Sequence, residues 1–391
     1  MSGPIVIVGA SAAGVATAEA LQRLQSGREI ILVGDEPSLA HDRPPLSKQV
    51  LDGAWTPEQA ELLPPARREQ LTARLLLGTR AAALDSANRK LKLDDGSELD
   101  FQDLVIATGV RPRTLRSPTP KGVHVLRDMM DSLALRAAML NSADRHIAII
   151  GGGFIGLEVA ATACKMGLAV TVIEPAPQVL AHKLGDQAAI RLRSMHADRG
   201  VSFKFDAGVA GYLTDETGRV TGLSLTDGSQ VAASLVLLAI GCVPNVEWLA
   251  GSGVDISDGV ICDEFCRAGP GIWATGDVAK WKHIGLGRHI RVEHRLNATE
   301  QGGTVATNIM GPLVPYTSTP FFWTDQFGVR LQLAGIIATG AEETVEQLGE
   351  ASFLHTFRVG GRLVAVLGWN AAKAMMPFRR ELSAANQPVA A

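Results

Sequence analysis

Three glycines in the spacing G-x-G-x-x-G, Gly151, Gly153 and Gly156, and an acid further on, Glu174, are the residues here whose types and spacing most clearly imply chemistry. Glycine lets a backbone turn tightly and come close to a pyrophosphate, and the amides at the start of a following helix then face the phosphates. A carboxylate placed after the second strand would accept hydrogen bonds from a ribose 2′-hydroxyl. That reading requires a strand before the glycines, a helix after them and a second strand ending at the acid. The stretch 147–177, IAIIGGGFIGLEVAATACKMGLAVTVIEPAP, supplies each in order.

A second, weaker copy opens the chain. The apolar run PIVIV leads into Gly9, Ala10, Ser11, Ala12, Ala13 and Gly14, where serine replaces the middle glycine. Serine is small enough to admit a pyrophosphate, so the first copy also reads as a nucleotide site, with Asp35 or Glu36 on the ribose. Two such units suggest two dinucleotides, such as a flavin and a nicotinamide. Arg43 and Lys48 flank a Pro44-Pro45 break just after the first unit, where a cation could reach a pyrophosphate or a flavin ring, and Ser47 is placed to cap a following helix. The runs LVIATGVRPR at 104–113 and LVLLAIGCVPN at 235–245 are similarly placed, each closing a nucleotide-binding unit. Short strands with turns at 94–96 and 227–228 precede them, the stretch 112–120 reads as a linker, and a helix is expected over 124–145.

The 391-residue length implies two or three domains. A net charge of −3 gives no general case for nucleic-acid binding. No apolar run approaches the ~20 residues that span a bilayer, and the N-terminus enters a strand directly, so no membrane segment and a cytoplasmic location are expected. The four cysteines are too sparse for a disulfide framework, and Cys262 and Cys266, spaced to share one face of a strand, read as buried thiols rather than a metal or redox pair. No metal site is expected. The stretch 280–295 carries Lys280, Lys282, Arg288, Arg291 and Arg295 with only Glu293 opposing them, a local exception to the mild overall charge. Strand patterns at 329–335 and 363–369, a closing helix to about 383 and a loose tail from 384 complete the chain.

Taken together, the motifs resemble the two-dinucleotide flavoprotein disulfide reductase superfamily, and within it the NAD(P)H-dependent ferredoxin reductases that serve oxygenases and cytochromes P450. The matching segments are the fingerprint at 9–14, DRPPLSK at 42–48, ATG at 107–109, GGGFIGLE at 151–158, AIGCVPN at 239–245, IWATGDVA at 272–279, VEH at 292–294 with Asn297-Ala298, and PFFWTDQ at 320–326. They span nearly the whole chain in the family's order. The resemblance implies an α/β fold of glutathione-reductase type, with two Rossmann-like domains and a C-terminal α+β interface domain. The FAD-binding domain would comprise 1–112 and 243–313, the NAD-binding domain 113–242 and the C-terminal domain 314–391.

The same resemblance places FAD against Gly9, Ser11, Ala12, Ala13, Gly14, Arg43, Lys48, Ala107, Thr108, Gly109, Arg127, Gly276, Asp277, Glu293, His294, Arg295 and Trp323, besides Asp35 and Glu36. It places the nicotinamide dinucleotide against Gly151, Gly153, Phe154, Ile155, Gly156, Glu174, Lys183, Ile240 and Gly241. Lys48 and Glu158 would meet beside the two rings as tuning and positioning groups. Glu174, with no cation following until His182 and Lys183, favours NADH over NADPH. Arg295 stands where the family commonly has tryptophan.

The activity implied is electron transfer from NADH through FAD to a [2Fe–2S] ferredoxin, docking on 280–295, by a monomer or homodimer. Two alternatives stay open: a direct NADH oxidase or quinone reductase, and a redox-sensing flavoprotein like apoptosis-inducing factor. Residues 1–163 hold no cysteine, which disfavours disulfide reduction at the flavin.

Overall fold

The β-branched run Ile5–Val8 is buried on both faces, as a central parallel strand must be. In the computed structural model, which describes residues 3–115 and 119–387, it lies at the middle of a six-stranded sheet. Ile30–Gly34 pairs on one side of it and Asp103–Ile106 on the other, both parallel. Arg74–Leu77 extends one edge, and Ile272–Ala274, from much later in the chain, adds to the other.

A second sheet repeats the plan. His146–Ile150 lies between Ala169–Ile173 and Val236–Leu238, again all parallel. In each unit a twelve-residue helix follows the first strand, Ala12–Arg23 or Phe154–Lys165. The last fingerprint glycine sets how closely that helix packs: a Cβ at Gly14 would stand 1.8 Å from the Gly9 carbonyl oxygen, and one at Gly156 would stand 2.1 Å from that of Gly151. Each unit also carries a three-stranded antiparallel meander before its returning strand, with turns at Gly96 and Gly228 in the left-handed region.

The chain passes between the units twice, and the two passages pair with each other. Val110–Pro112 runs antiparallel to Cys242–Pro244. Asn245 Nδ2 donates to the Thr108 carbonyl (2.9 Å) while Thr108 Oγ1 donates to the Asn245 carbonyl (2.8 Å). The expected linker at 112–120 therefore begins as paired strand; residues 116–118 lie outside the described residues. The predicted helix over 124–145 is shorter, Met129–Leu140, because Asp128 caps it by accepting from the Asp131 amide.

Five antiparallel strands, Phe321–Gln326, Val329–Gly335, Glu342–Gly349, Ser352–Val359 and Arg362–Trp369, form a third sheet. One face packs Leu331, Phe357, Leu367 and Trp369 against Leu157, Leu184 and Leu192 of the second unit. The other face carries the closing helix Met376–Asn386, so residues 384–386 are helical rather than a loose tail, and 388–391 lie outside the described residues. Cys262 ends a strand and Cys266 sits in the following turn at φ 64°; both are buried free thiols, but not on one strand face.

His196, on the helix Asp186–Ala197, is fully buried, and its Nε2 lies 2.7 Å from Gln326 Oε1 of the third sheet. Burial lowers its pKa from 6.5 to about 4, against an opposing pull from that hydrogen bond. An unfolded chain takes up this proton below pH 6.5 and the folded one only near 4, so stability is complete above 6.5 and is lost as pH falls toward 4. The loss attributable to this group is about 3 kcal/mol at most. Urea midpoints measured from pH 8 to pH 4 should fall more steeply for the wild type than for His196→Asn; parallel curves would remove His196 from the acid sensitivity.

Candidate active site

The carboxyl ends of the first sheet's strands, the start of helix 154–165 and the third sheet enclose a cleft of about 800 Å³. Open sheets bind ligands at such strand ends. Ser11, Ala12 and Ala13 enter it from the start of helix 12–23, whose first turn has neither an acidic residue nor a side-chain cap. Phe154 and Ile155 enter from the start of helix 154–165, which is equally free of both. Two helix starts with spare amides and positive dipole ends thus open on one space.

Of the other expected residues, Arg43, Lys48, Ala107, Thr108, Gly109, Arg127, Glu158, Lys183, Gly276, Asp277, Glu293, His294, Arg295 and Trp323 also line the cleft. Gly9, Gly14, Gly151 and Gly156 do not; they lie beneath it and permit the close strand–helix packing described above. Gly153 caps its helix, and a Cβ there would meet only the Ala239 carbonyl oxygen, at 3.9 Å, which leaves room for a phosphate. Ile240 packs under the second sheet, and the Gly241 carbonyl accepts from the Arg113 amide (2.9 Å) at the crossing strands.

The two acids expected at the first ribose part company. Asp35 faces solvent and lies 3.6 Å from Arg80, whereas Glu36 turns inward to 3.6 Å from Arg43. Burial raises the Glu36 pKa despite Arg43. At the second unit Glu174 directly follows the strand Ala169–Ile173, and its carboxylate accepts from the Gly152 and Ala176 amides (2.8 and 3.0 Å).

Lys48 Nζ and Glu158 Oε2 stand 2.6 Å apart, both side chains largely buried. Ser47 Oγ donates to the same oxygen (2.5 Å) and Thr324 Oγ1 to the other (2.6 Å). Ser47 is therefore a partner of the carboxylate rather than a helix cap; the short helix after it begins without one. The resemblance brings the segment Trp323–Gln326 toward the flavin, but it does not foresee the hydrogen bonds of Ser47 and Thr324 to Glu158. Their signal was the two tight motifs that contain them, RPPLSK and FFWTDQ, and the alternation that puts Phe322, Thr324 and Gln326 on one strand face.

Arg43 Nη1 donates to the Arg127 carbonyl (2.7 Å), and Arg127 pairs with Asp277 (3.1 Å). Burial, then the neighbouring Arg127 guanidinium, lowers Arg43 to about 10. Each of these cations is also matched by an acid, Arg43 by Glu36 and Arg127 by Asp277, so the room for a ligand shows instead in unpartnered polar atoms: Arg127 Nε, His41 Nδ1 and His294 Nδ1 are buried there without partners. These features, with the spare amides of helix 12–23, fit the diphosphate and polar ring edges of FAD. The start of helix 154–165, Gly153 and Glu174 fit the diphosphate and ribose of NADH.

Phe322 packs in tilted contacts against Phe154 (4.5 Å between ring centres) and His294 (5.4 Å), closing one wall of the cleft. Burial lowers His294 to about 4, against the pull of Asp277, so its ring is neutral at neutral pH. Burial pushes Glu293 upward, but hydrogen bonds from Cys242 and Arg291 (2.8 Å each) outweigh it and hold its carboxyl below the usual range. Arg295 is held by Asp42 and Thr299. The basic run proves largely neutralised: Lys280 pairs with Asp258 (2.8 Å), Lys282 with Glu264 (3.6 Å) and Arg291 with Asp258 and Glu293. Folding brings Asp258, Glu264 and Asp42 from other segments, leaving Arg288 as the member of the run without an ion pair among the described residues. No cluster of three or more metal-ligating side chains is present among those residues, and no helix there is long and apolar enough to cross a membrane.

Residues 3–302 match the pyridine nucleotide-disulphide oxidoreductase family, and 321–391 match the reductase C-terminal domain. The ferredoxin–NAD(+) reductase component of the anthranilate 1,2-dioxygenase system of Burkholderia cepacia is 35% identical over 390 residues, 98% of this chain and 95% of that protein. Among solved structures, the ferredoxin reductase for the CYP199A2 system from Rhodopseudomonas palustris superposes with a TM-score of 0.91 at 33% identity, covering 96% of this chain and 93% of its own. The covalent putidaredoxin reductase–putidaredoxin complex gives 0.92 at 31% identity, covering 98% and 93%. The chain belongs to the pyridine nucleotide-disulphide oxidoreductase family and groups within it with the ferredoxin reductases of oxygenase and cytochrome P450 systems.

Proposed function

We propose that this protein is an NADH-dependent ferredoxin reductase, an oxidoreductase that passes electrons from NADH through FAD to a [2Fe–2S] ferredoxin serving an oxygenase or cytochrome P450. The observation that carries the reading is that two dinucleotide-type helix starts and one buried Lys48–Glu158 pair open on a single cleft with no cysteine in its lining. The neighbouring thiol, Cys242, is pushed up to about 12 by burial and by Glu293, which leaves it a poor nucleophile. The chemistry that bound FAD would supply is acceptance of a hydride from NADH and release of its electrons one at a time.

The chain's own residues bind, orient and exclude water. In this proposal Gly9, Ser11, Ala12, Ala13 and Gly14 let the FAD diphosphate approach helix 12–23, Arg43 and Arg127 neutralise it, and Glu36 takes the ribose. Phe154, Phe322 and Trp323 cover the reacting region, while Glu158 and Lys48 position the rings. Glu174 holds the NADH ribose. The division at 112/113, 242/243 and 313/314 then separates an FAD unit, an NADH unit and an interface unit. Arg288 and the rim of 280–295 are the proposed ferredoxin contact, a smaller positive surface than the sequence alone implied, and the cytoplasm the proposed location.

Reconstitution tests this reading. The purified flavoprotein, given NADH and cytochrome c, should reduce cytochrome c faster as a [2Fe–2S] ferredoxin is added, to saturation. Fast reduction of oxygen or a quinone with no ferredoxin response would instead identify an oxidase or quinone reductase. At the nucleotide site, Glu174→Ala should raise KM for NADH about tenfold, near 1.4 kcal/mol of lost binding, with kcat little changed and NADPH better tolerated. An unchanged KM would show that the ribose lies elsewhere.

A further inference from the structure

Three residues that do not line the cleft form an unbroken line of hydrogen bonds into the carboxylate at its edge. His196 Nε2 lies 2.7 Å from Gln326 Oε1, Gln326 Nε2 donates to Thr324 Oγ1 (2.9 Å), and Thr324 Oγ1 donates to Glu158 Oε1 (2.6 Å). His196 is 0% exposed, Thr324 and Gln326 are each 1% exposed, and Glu158 is 8% exposed, so water does not substitute for a missing partner.

The direction of the line follows from the inventory of donors and acceptors. Glu158 Oε2 is taken by Lys48 and Ser47, which leaves Thr324 as the side-chain donor to Oε1. A hydroxyl has one proton, and Thr324 turns it toward Glu158 only if the hydroxyl oxygen accepts from its other neighbour. Gln326 must therefore present its NH₂ to Thr324 and its oxygen to His196, which in turn must carry its proton on Nε2. Turning the amide over would bring the amide oxygen to Thr324, draw the hydroxyl proton away and set two acceptors face to face in a buried place. His196 Nδ1 has no partner, as expected for a ring whose single proton is committed to Nε2.

We propose that Thr324, Gln326 and His196 are positioning residues, a one-way series of donors that fixes Glu158 and, through it, Lys48 for hydride transfer between NADH and FAD. The line joins helix 186–197 of the nucleotide unit to strand 321–326 of the third sheet, so the C-terminal sheet sets the geometry of the redox centre as well as covering it. The proposal rests on the reductase reading above.

Thr324→Val removes the hydroxyl at nearly constant shape and Thr324→Ser keeps it. In anaerobic stopped-flow mixing of the flavoprotein with NADH, ferredoxin absent, Thr324→Val should lower the limiting rate of flavin bleaching about tenfold with little change in the NADH concentration at half-maximal rate, the split expected when a transition-state interaction is lost. Thr324→Ser should recover most of the rate. ¹⁵N NMR of histidine-labelled protein, with His196 assigned from His196→Asn, should show the Nε2–H form in the wild type and loss of that preference in Gln326→Leu.

A Thr324→Val rate equal to wild type, equal slowing in both Thr324 variants, or a wild-type His196 protonated at Nδ1 would overturn the proposal. Wild-type flavin that NADH does not bleach would count against the reductase reading instead. The tautomer measurement would still decide for or against the relay.

Discussion

A carboxylate withdrawn from water has to be surrounded by donors, and in this protein that requirement falls on Glu158. Lys48 and Ser47 reach it from the short turn of helix at 44–48 within the first unit, Thr324 from the third sheet, and the side chain itself stands on the helix of the second unit. Removing one partner of such a buried pair typically costs about 3–5 kcal/mol, because the other charge is left uncompensated. The three regions are therefore held in register by one polar contact placed where their apolar surfaces also meet.

Around that contact the chain uses one device twice. A buried parallel strand, a glycine turn and a helix start place spare amides at the edge of each sheet, and the returning strands bring the chain across by the paired segments 110–112 and 242–244. Duplication alone would give two separate nucleotide sites. The crossing strands and the Thr108–Asn245 hydrogen bonds turn the two helix starts toward a common cleft.

Much of this was legible in the sequence because its signals are local. The fingerprints at 9–14 and 151–156 and the turns at 96 and 228 each depend on residues a few positions apart. Long-range contacts left no such trace. Ser47 reads as a helix cap until Glu158, 111 residues away, is seen to claim its hydroxyl, and Thr324 meets the same side chain across 166 residues. The basic run 280–295 reads as open charge because Asp258, Glu264 and Asp42, which neutralise much of it, lie outside that segment. The Lys48–Glu158 approach was expected through family resemblance, not spacing.

The central claim is that Lys48 and Glu158 act as one unit joining the two nucleotide halves. A double-mutant cycle on the rate of flavin bleaching by NADH, using Lys48→Met, Glu158→Gln and both together, tests it most directly. Each single change should slow bleaching strongly, and the second should add little to the first. Independent, multiplying losses would contradict it.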